Sequence, residues 1–316
     1  MNVFALGASK NIGYFAAIRL LSALSLIFYN DLHAETLSDK GATVTFLLRN
    51  TSVFDADESI QPFVRSGKAR LVKGDALNID DVARGWAEAQ AASEAQHVDV
   101  LLFSVGQSSP RFTSPPHNAD PVAGGVPESF HWRKGAQIKP ANLCSACLLN
   151  VVRTLPANQR TPGAQPRCVV VTSTGITKGS HDGLPLAMKG LYSYLLDGPH
   201  VDKFGMERLL AHCAGAPFAR DAYRADLLPP RWQALDGVPA PGALPTVLVV
   251  RPAWLTDGPA KADEPAQKRA APYKVQKGDD AKLGWTISRR DVAHFIVERG
   301  LANWDEWQGQ VVSLSY

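Results

Sequence analysis

Met1-Asn2-Val3-Phe4-Ala5-Leu6-Gly7-Ala8-Ser9-Lys10-Asn11-Ile12-Gly13 opens the chain, and its reading decides the fold. Val3 to Leu6 is a short apolar run of the kind a buried strand shows. A glycine-bounded turn follows it. Beyond the turn, Tyr14, Ala17, Ile18 and Leu21 recur at three- and four-residue spacing, the period of a helix face. Strand, glycine turn and helix together form the arrangement that holds a pyrophosphate. Gly7 permits the tight turn, and the amides of the first helical turn meet the anion with the favourable end of the helix dipole. The middle glycine of G-x-G-x-x-G is missing, so the loop needs support from the rest of the chain.

That support comes from alternation. Apolar β-rich runs at Ala42–Leu48, Ala69–Lys73, Val98–Phe103, Cys168–Thr172 and Thr246–Val250 are separated by helical patterns, one of which starts at Asn78-Ile79-Asp80-Asp81. Most of these runs are near-continuous rather than alternating, as strands covered on both faces are. The expected fold is α/β: a doubly wound (Rossmann) parallel sheet forming a single domain over residues 1–316.

Three regions depart from the pattern. Residues 108–139 are rich in Pro, Gly and Ser and follow the fourth strand's carboxyl end; residues 256–283 are polar and follow the sixth. Both are candidate substrate-covering segments, with plain surface insertions as the alternative. The third lies near residues 22–40. Arg49 comes 36 residues after Gly13, where the ribose-reading residue of this fold comes about 20 after the last glycine. Either a short insertion of about 16 residues relative to that spacing interrupts the unit, a retained intron among its sources, or a longer helix is capped by a surface loop.

Composition excludes several classes. The 316 residues are 45% hydrophobic and 20% charged with a net charge of +3, too small a balance and too evenly spread to favour nucleic acid. Leu20–Tyr29 is apolar but too short to span a bilayer, and no basic leader precedes the first strand. A cytoplasmic protein is the expectation. Four cysteines make no disulfide framework. Cys144-Ser145-Ala146-Cys147 lies in an apolar run and reads as two buried helix cysteines, and no histidine spacing argues for a metal.

Gly7-Ala8-Ser9-Lys10-Asn11-Ile12-Gly13 resembles the T-G-x-x-x-G-I-G loop of the short-chain dehydrogenase/reductase superfamily, with Leu6 for Thr and Asn11 for the middle glycine. Lys73-Gly74-Asp75-Ala76, Val171-Thr172-Ser173-Thr174-Gly175, Arg251-Pro252-Ala253 and Ile287-Ser288-Arg289-Arg290-Asp291-Val292-Ala293 follow in family order. They resemble the atypical, NmrA-like NAD(P)-binding branch. The resemblance leaves residues 22–40, 108–139 and 256–283 uncovered.

The resemblance implies a dinucleotide site made by Gly7, Ser9, Lys10, Asn11, Ile12, Gly13, Arg49, Asp75, Ala76, Ser104, Gly106, Lys203 and Pro252. Asp75 would touch the adenine, or else serve as a helix N-terminal acid. Sites specific for NAD keep an acid at the end of the second strand, where it would repel a 2′-phosphate. Arg49 stands there instead and Lys10 lies in the loop beside it, so NADP(H) is the expected cofactor.

The catalytic pattern departs from the family. Its standard members place Tyr-x-x-x-Lys on one helix, the lysine lowering the phenol's pKa for proton transfer. Lys203 matches the lysine, but Pro199 occupies the tyrosine's place, and Tyr192 and Tyr194 lie too far upstream. Ser173 or Thr174 matches the serine. His200 is a candidate proton donor, with a helix-start histidine as the other reading, and Lys203 is a candidate for holding the nicotinamide ribose. Ser288-x-x-Asp291 has capping-box spacing and is given no catalytic role. The resulting expectation is an NADPH-dependent oxidoreductase reducing a small organic substrate. The alternative is a non-catalytic NADP(H)-sensing regulator that acts through a protein partner. No nucleic-acid or membrane partner is expected, and a homodimer through the late helices is left open.

Overall fold

The computed structural model describes residues 1–22, 41–106, 129–131, 135–137, 140–177, 197–218, 227–265, 271–278 and 284–316. In chain order the strands are β1 (Asn2–Leu6), β2 (Thr43–Leu48), β3 (Ala69–Lys73), β4 (Val100–Phe103), β5 (Ser129–His131), β6 (Gly135–Gln137), β7 (Arg167–Val171), β8 (Val247–Pro252), β9 (Trp254–Thr256), β10 (Lys274–Lys277), β11 (Thr286–Ser288) and β12 (Val311–Ser315). The helices are α1 (Asn11–Leu21), α2 (Gln61–Arg65), α3 (Ile79–Gln90), α4 (Leu143–Arg153), α5 (Asp197–Ala214), α6 (Arg289–His294), which runs on as a wider π-helical turn over Phe295–Leu301, and α7 (Trp304–Trp307).

Eight strands form one sheet in the order β10-β12-β8-β7-β4-β1-β2-β3. All neighbours are parallel except β10, which runs antiparallel to β12 at the edge. Strand order reverses between β1 and β4, and a crevice opens there at the carboxyl ends of such sheets. The alternation of side chains along β1 shows the two layers. Val3 and Ala5 pack with α1, α6 and the π-helical turn on one face. Phe4 and Leu6 pack with α3, α4 and α5 on the other. The Phe4 and Trp86 rings lie 4.8 Å apart, and a fully buried side chain of this size contributes about 1.5–3 kcal/mol. This is the doubly wound α/β fold expected from the alternation of apolar runs.

Three expectations are corrected. Residues 256–283 are not all a covering loop, because Lys274–Lys277 is the sheet's edge strand β10. The chain has a further parallel strand, β12, beyond the six read from sequence. The alternative of a longer first helix fails, since α1 closes at Leu21 with Ser22 as its C-cap. Residues 23–40, and most of 108–139, lie outside the described residues. Cys144 and Cys147 are buried on α4, as read. Among the described residues no helix is long and apolar enough to cross a membrane.

Candidate functional site

The loops leaving β1, β2, β3, β4, β7 and β8 all open on the carboxyl edge of the sheet. At β1, Gly7 takes φ +72°, and a Cβ there would stand 2.3 Å from the Val105 nitrogen and 2.4 Å from the Ser104 carbonyl carbon. A Cβ on Gly13 would come within 2.9 Å of Ala8 Cα and 3.0 Å of Ser104 Cβ. The loop therefore lies directly on the exit of β4, where Ser104 donates its amide to the Leu6 carbonyl at 2.9 Å and Gly106 follows. Asn11 adopts φ 58°, a left-handed conformation that asparagine tolerates. It stands where the family has its middle glycine.

Lys10 precedes α1 in an extended conformation and makes no side-chain cap, and the first turn holds no acid. By contrast, Asn78 caps α3 and Ser288 caps α6. An uncapped helix start whose first turn holds no acid suits an anion. Ser9 is half-buried beside it and Ile12 is buried beneath it.

At the ends of β2 and β3 an open groove of about 770 Å³ is lined by Arg49, Lys73, Gly74, Asp75, Asp81 and Arg84, among others. Arg49 is exposed. The acids of the groove are tied. Asp81 accepts from the Asp75 amide at 2.8 Å and from Arg84 at 2.6 Å. These contacts, the backbone amide first, hold its carboxyl below the usual range. Asp75 accepts from the Leu77 amide at 3.0 Å. The helix-terminal place that sequence left open for Asp75 is filled by Asn78, which accepts from the Asp80 amide. The carbonyl of Ala76 takes a bond from Asn150 on α4, 3.1 Å away, which fastens this loop to the second layer.

The third part of the site lies where β7, β8 and α5 meet. Lys203 Nζ donates to the Thr172 carbonyl at 2.9 Å. Burial pushes its pKa down, against the opposing pull of Cys144, Asp202 and Glu207. Ser173 is half-buried beside that carbonyl. Thr174 donates its amide to the Pro252 carbonyl at 3.1 Å, joining the two strand exits. Its own hydroxyl is fully buried and has no hydrogen-bond partner among the described residues. His200, one turn before Lys203, is only 1% exposed. Tyr192 and Tyr194 lie outside the described residues.

Two residues to which the sequence assigns no role stand out here. The Glu207 carboxylate accepts from Thr172 Oγ1 at 2.7 Å, from Arg251 Nε at 2.8 Å and from Arg251 Nη2 at 2.5 Å. Glu207 was legible only as a residue four after Lys203. Arg251 was visible in a family motif, but nothing in the spacing tied it to Glu207. Ser288 caps α6 by accepting from the Asp291 amide at 2.9 Å, in keeping with its structural reading. Among the described residues no cluster of His, Cys, Asp and Glu is placed to hold a metal.

The residues present fit a dinucleotide. The β1 loop is pressed onto β4, α1 starts uncapped, and the buried Thr174 hydroxyl at the β7 exit has a bond left to make. The structure thus brings Gly7, Gly13 and Ser104 together, Arg49 with Asp75, and Lys203 with the Thr172-Ser173 exit.

No protein-family model matches the chain. Over 153 residues it is 31% identical to Reductase pytE of Aspergillus terreus, a match covering 48% of this chain and 48% of that protein. The chain thus spans about half the length of the curated relative it matches. Among solved structures it is similar to a short-chain dehydrogenase/reductase (wide type) from Veillonella parvula in complex with NADP. The TM-score is 0.53 and the identity 14%, over 99% of this chain and 94% of that one. It is also similar to ChuY, an anaerobillin reductase from Escherichia coli, with TM-score 0.51 and 16% identity over 100% and 97% of the two chains. At such identities the likeness is one of fold, and the chain has the Rossmann-type α/β fold that these reductases share.

Proposed function

We propose that the chain is an NADP(H)-binding reductase of the atypical, NmrA-like short-chain dehydrogenase/reductase branch, acting on a small organic substrate. The observation that carries this reading is Arg49 at the end of β2, facing a groove whose acids Asp75, Asp81 and Glu88 are already bonded to neighbouring groups. An acid in that place would repel a 2′-phosphate, whereas a guanidinium binds it. Gly7, Ser9, Lys10, Asn11, Ile12 and Gly13 would hold the pyrophosphate, Asp75 and Ala76 the adenine, and Ser104, Gly106, Lys203 and Pro252 the nicotinamide half. The likeness to a reductase and to an NADP complex supports the same reading.

The cofactor, when bound, supplies the hydride. The chain's own residues would orient it and exclude water, and would keep a proton available at Ser173, at His200 or on a water. Lys203 would bind the ribose hydroxyls, its ammonium already fixed at the Thr172 carbonyl. One observation favours a second reading, an NADP(H)-sensing regulator: Pro199 stands where a reductase of the standard branch has its tyrosine.

Calorimetric titration with NADP+, NADPH, NAD+ and NADH tests the cofactor assignment. The phosphorylated pair should bind at least tenfold more tightly, and Arg49→Glu should remove most of that preference, since a charged hydrogen bond contributes about 1.5–3 kcal/mol. Tighter binding of NAD+ than NADP+ overturns the assignment. Following NADPH absorbance with quinones, aldehydes, ketones and flavins tests turnover, and tight binding with silence across that panel favours the regulator.

A further inference from the structure

We infer that Glu207, locked by Arg251, is a positioning residue that holds the Lys203 ammonium at the nicotinamide end of the dinucleotide site, acting through Thr172. The inference rests on the cofactor reading above and assigns a role to groups that reading leaves unused. Glu207 follows Lys203 by one turn of α5. Its carboxylate is 4% exposed and both oxygens are engaged. Arg251, 2% exposed on β8, grips it with two nitrogens of its planar fork.

A buried ion pair is weak as a stabilising device, because its desolvation cost about cancels its attraction and apolar residues can fill the same space. What this pair supplies is geometry. It joins α5 to the exits of β7 and β8 at the carboxyl edge of the sheet. Thr172 transmits the constraint with its two polar ends. The hydroxyl donates to Glu207 at 2.7 Å, and the carbonyl accepts from Lys203 at 2.9 Å. Glu207 therefore fixes the carbonyl that fixes the ammonium. An ammonium has three N–H donors, and the described residues take one of them. The other two remain for ribose hydroxyls.

The test compares two probes by calorimetry. NADPH carries the nicotinamide half, and 2′,5′-ADP carries only the adenosine end with its 2′-phosphate. Glu207→Gln should bind NADPH about tenfold more weakly, the loss of roughly one well-made hydrogen bond, and 2′,5′-ADP as tightly as the wild type does. Thr172→Val, which removes one hydroxyl and leaves the ion pair, should shift the same ratio in the same direction. Equal weakening of both probes would mean a general loosening of the fold and overturns the inference, as does no change in either. Should Glu207→Gln fail to fold, the doubly neutral Glu207→Gln/Arg251→Met and Thr172→Val carry the measurement under the same criterion. A wild-type chain that takes neither probe removes the cofactor reading and this inference with it. Wild-type binding of both with an unchanged ratio in the variants removes this inference alone.

Discussion

The backbone amide of Ala42 donates to the carbonyl of Leu20 at 2.9 Å, so the chain re-enters the fold beside the last turn of α1. Gly41, just before it, has φ +54°. Joining Ser22 to Lys40 would make this a helix end closed by a left-handed glycine, with the bond running from the residue after the glycine to the carbonyl five residues earlier. Removing the 17 residues 23–39 would also bring Arg49 from 36 to 19 residues after Gly13, near the usual spacing of about 20. A variant lacking 23–39 should fold, melt within a few degrees of the full chain and bind NADPH within about twofold, since loop length alone costs little. Insoluble protein, or affinity lowered more than tenfold, would show that the segment belongs to the site.

Gly7 and Gly67 separate strain from crowding. Their φ angles are +72° and +75°, but a Cβ on Gly7 meets the backbone of Val105 and Ser104, whereas one on Gly67 meets nothing within 4 Å. Gly67→Ala should cost only left-handed strain, about 1–2 kcal/mol. Gly7→Ala must also push β4 away from the loop, so it should cost about 3 kcal/mol or more and abolish cofactor binding. Chemical denaturation reads both. Equal losses at the two positions would mean that the loop does not rest on β4.

The elements legible in sequence are those whose residues are apolar on both sides of the sheet. The runs of β1, β2, β4, β7 and β8 need no partner to be recognised, and Asn78 and Ser288 announce their helices by capping chemistry. β10 escaped because Lys274-Val275-Gln276-Lys277 pairs on one side only and carries the polarity of an edge. β12 escaped because Ser313 and Ser315 interrupt its apolar residues, although both serines are buried. In the site, Gly7, Arg49 and Lys203 were legible because each sits beside a strand end or in a known spacing. The Glu207–Arg251 pair spans 44 residues, and no periodicity links a helix residue to a strand residue brought beside it only by the packing of α5 on the sheet. Arg84 reaches the groove from the second turn of α3, in a place where sequence shows only an exposed helix arginine.

His294 gives the fold an acid-sensitive point. Burial, aided by Arg19, pushes its pKa from 6.5 down to about 4. Its Nδ1 lies 2.7 Å from the Tyr273 hydroxyl, a bond that suits a neutral ring accepting from the phenol. The unfolded chain takes up this proton near pH 6.5, so between pH 6.5 and 4 it binds more protons than the folded one. The contribution is therefore intact above pH 6.5 and lost as pH falls toward 4, up to about 2–3 kcal/mol in all. The melting temperature of His294→Gln should change less across that window than that of the wild type. Parallel curves for the two proteins would place the acid sensitivity elsewhere.

Asp202 tests how much the start of α4 depends on a neighbouring helix. It is fully buried on α5, and its carboxylate accepts from the amides of Cys144 and Ser145 at 2.7 and 2.8 Å and from the Ser145 hydroxyl at 2.6 Å. Asn142, the residue at the cap position, makes no side-chain bond to the helix, so the first turn is satisfied from outside its own segment. Asp202→Ala leaves the two amides buried without this acceptor, while the Ser145 hydroxyl keeps the Asn142 carbonyl at 3.2 Å, at a cost of about 2–4 kcal/mol. Asp80 is an exposed acid in the first turn of α3, where the helix dipole favours it, so Asp80→Ala should cost about 0.3–1 kcal/mol. Urea unfolding should show a lower midpoint for Asp202→Ala at unchanged slope. The same small loss at both positions would mean that the amides of α4 find another acceptor, and that the α4–α5 contact beneath Lys203 is held by packing rather than by this carboxylate.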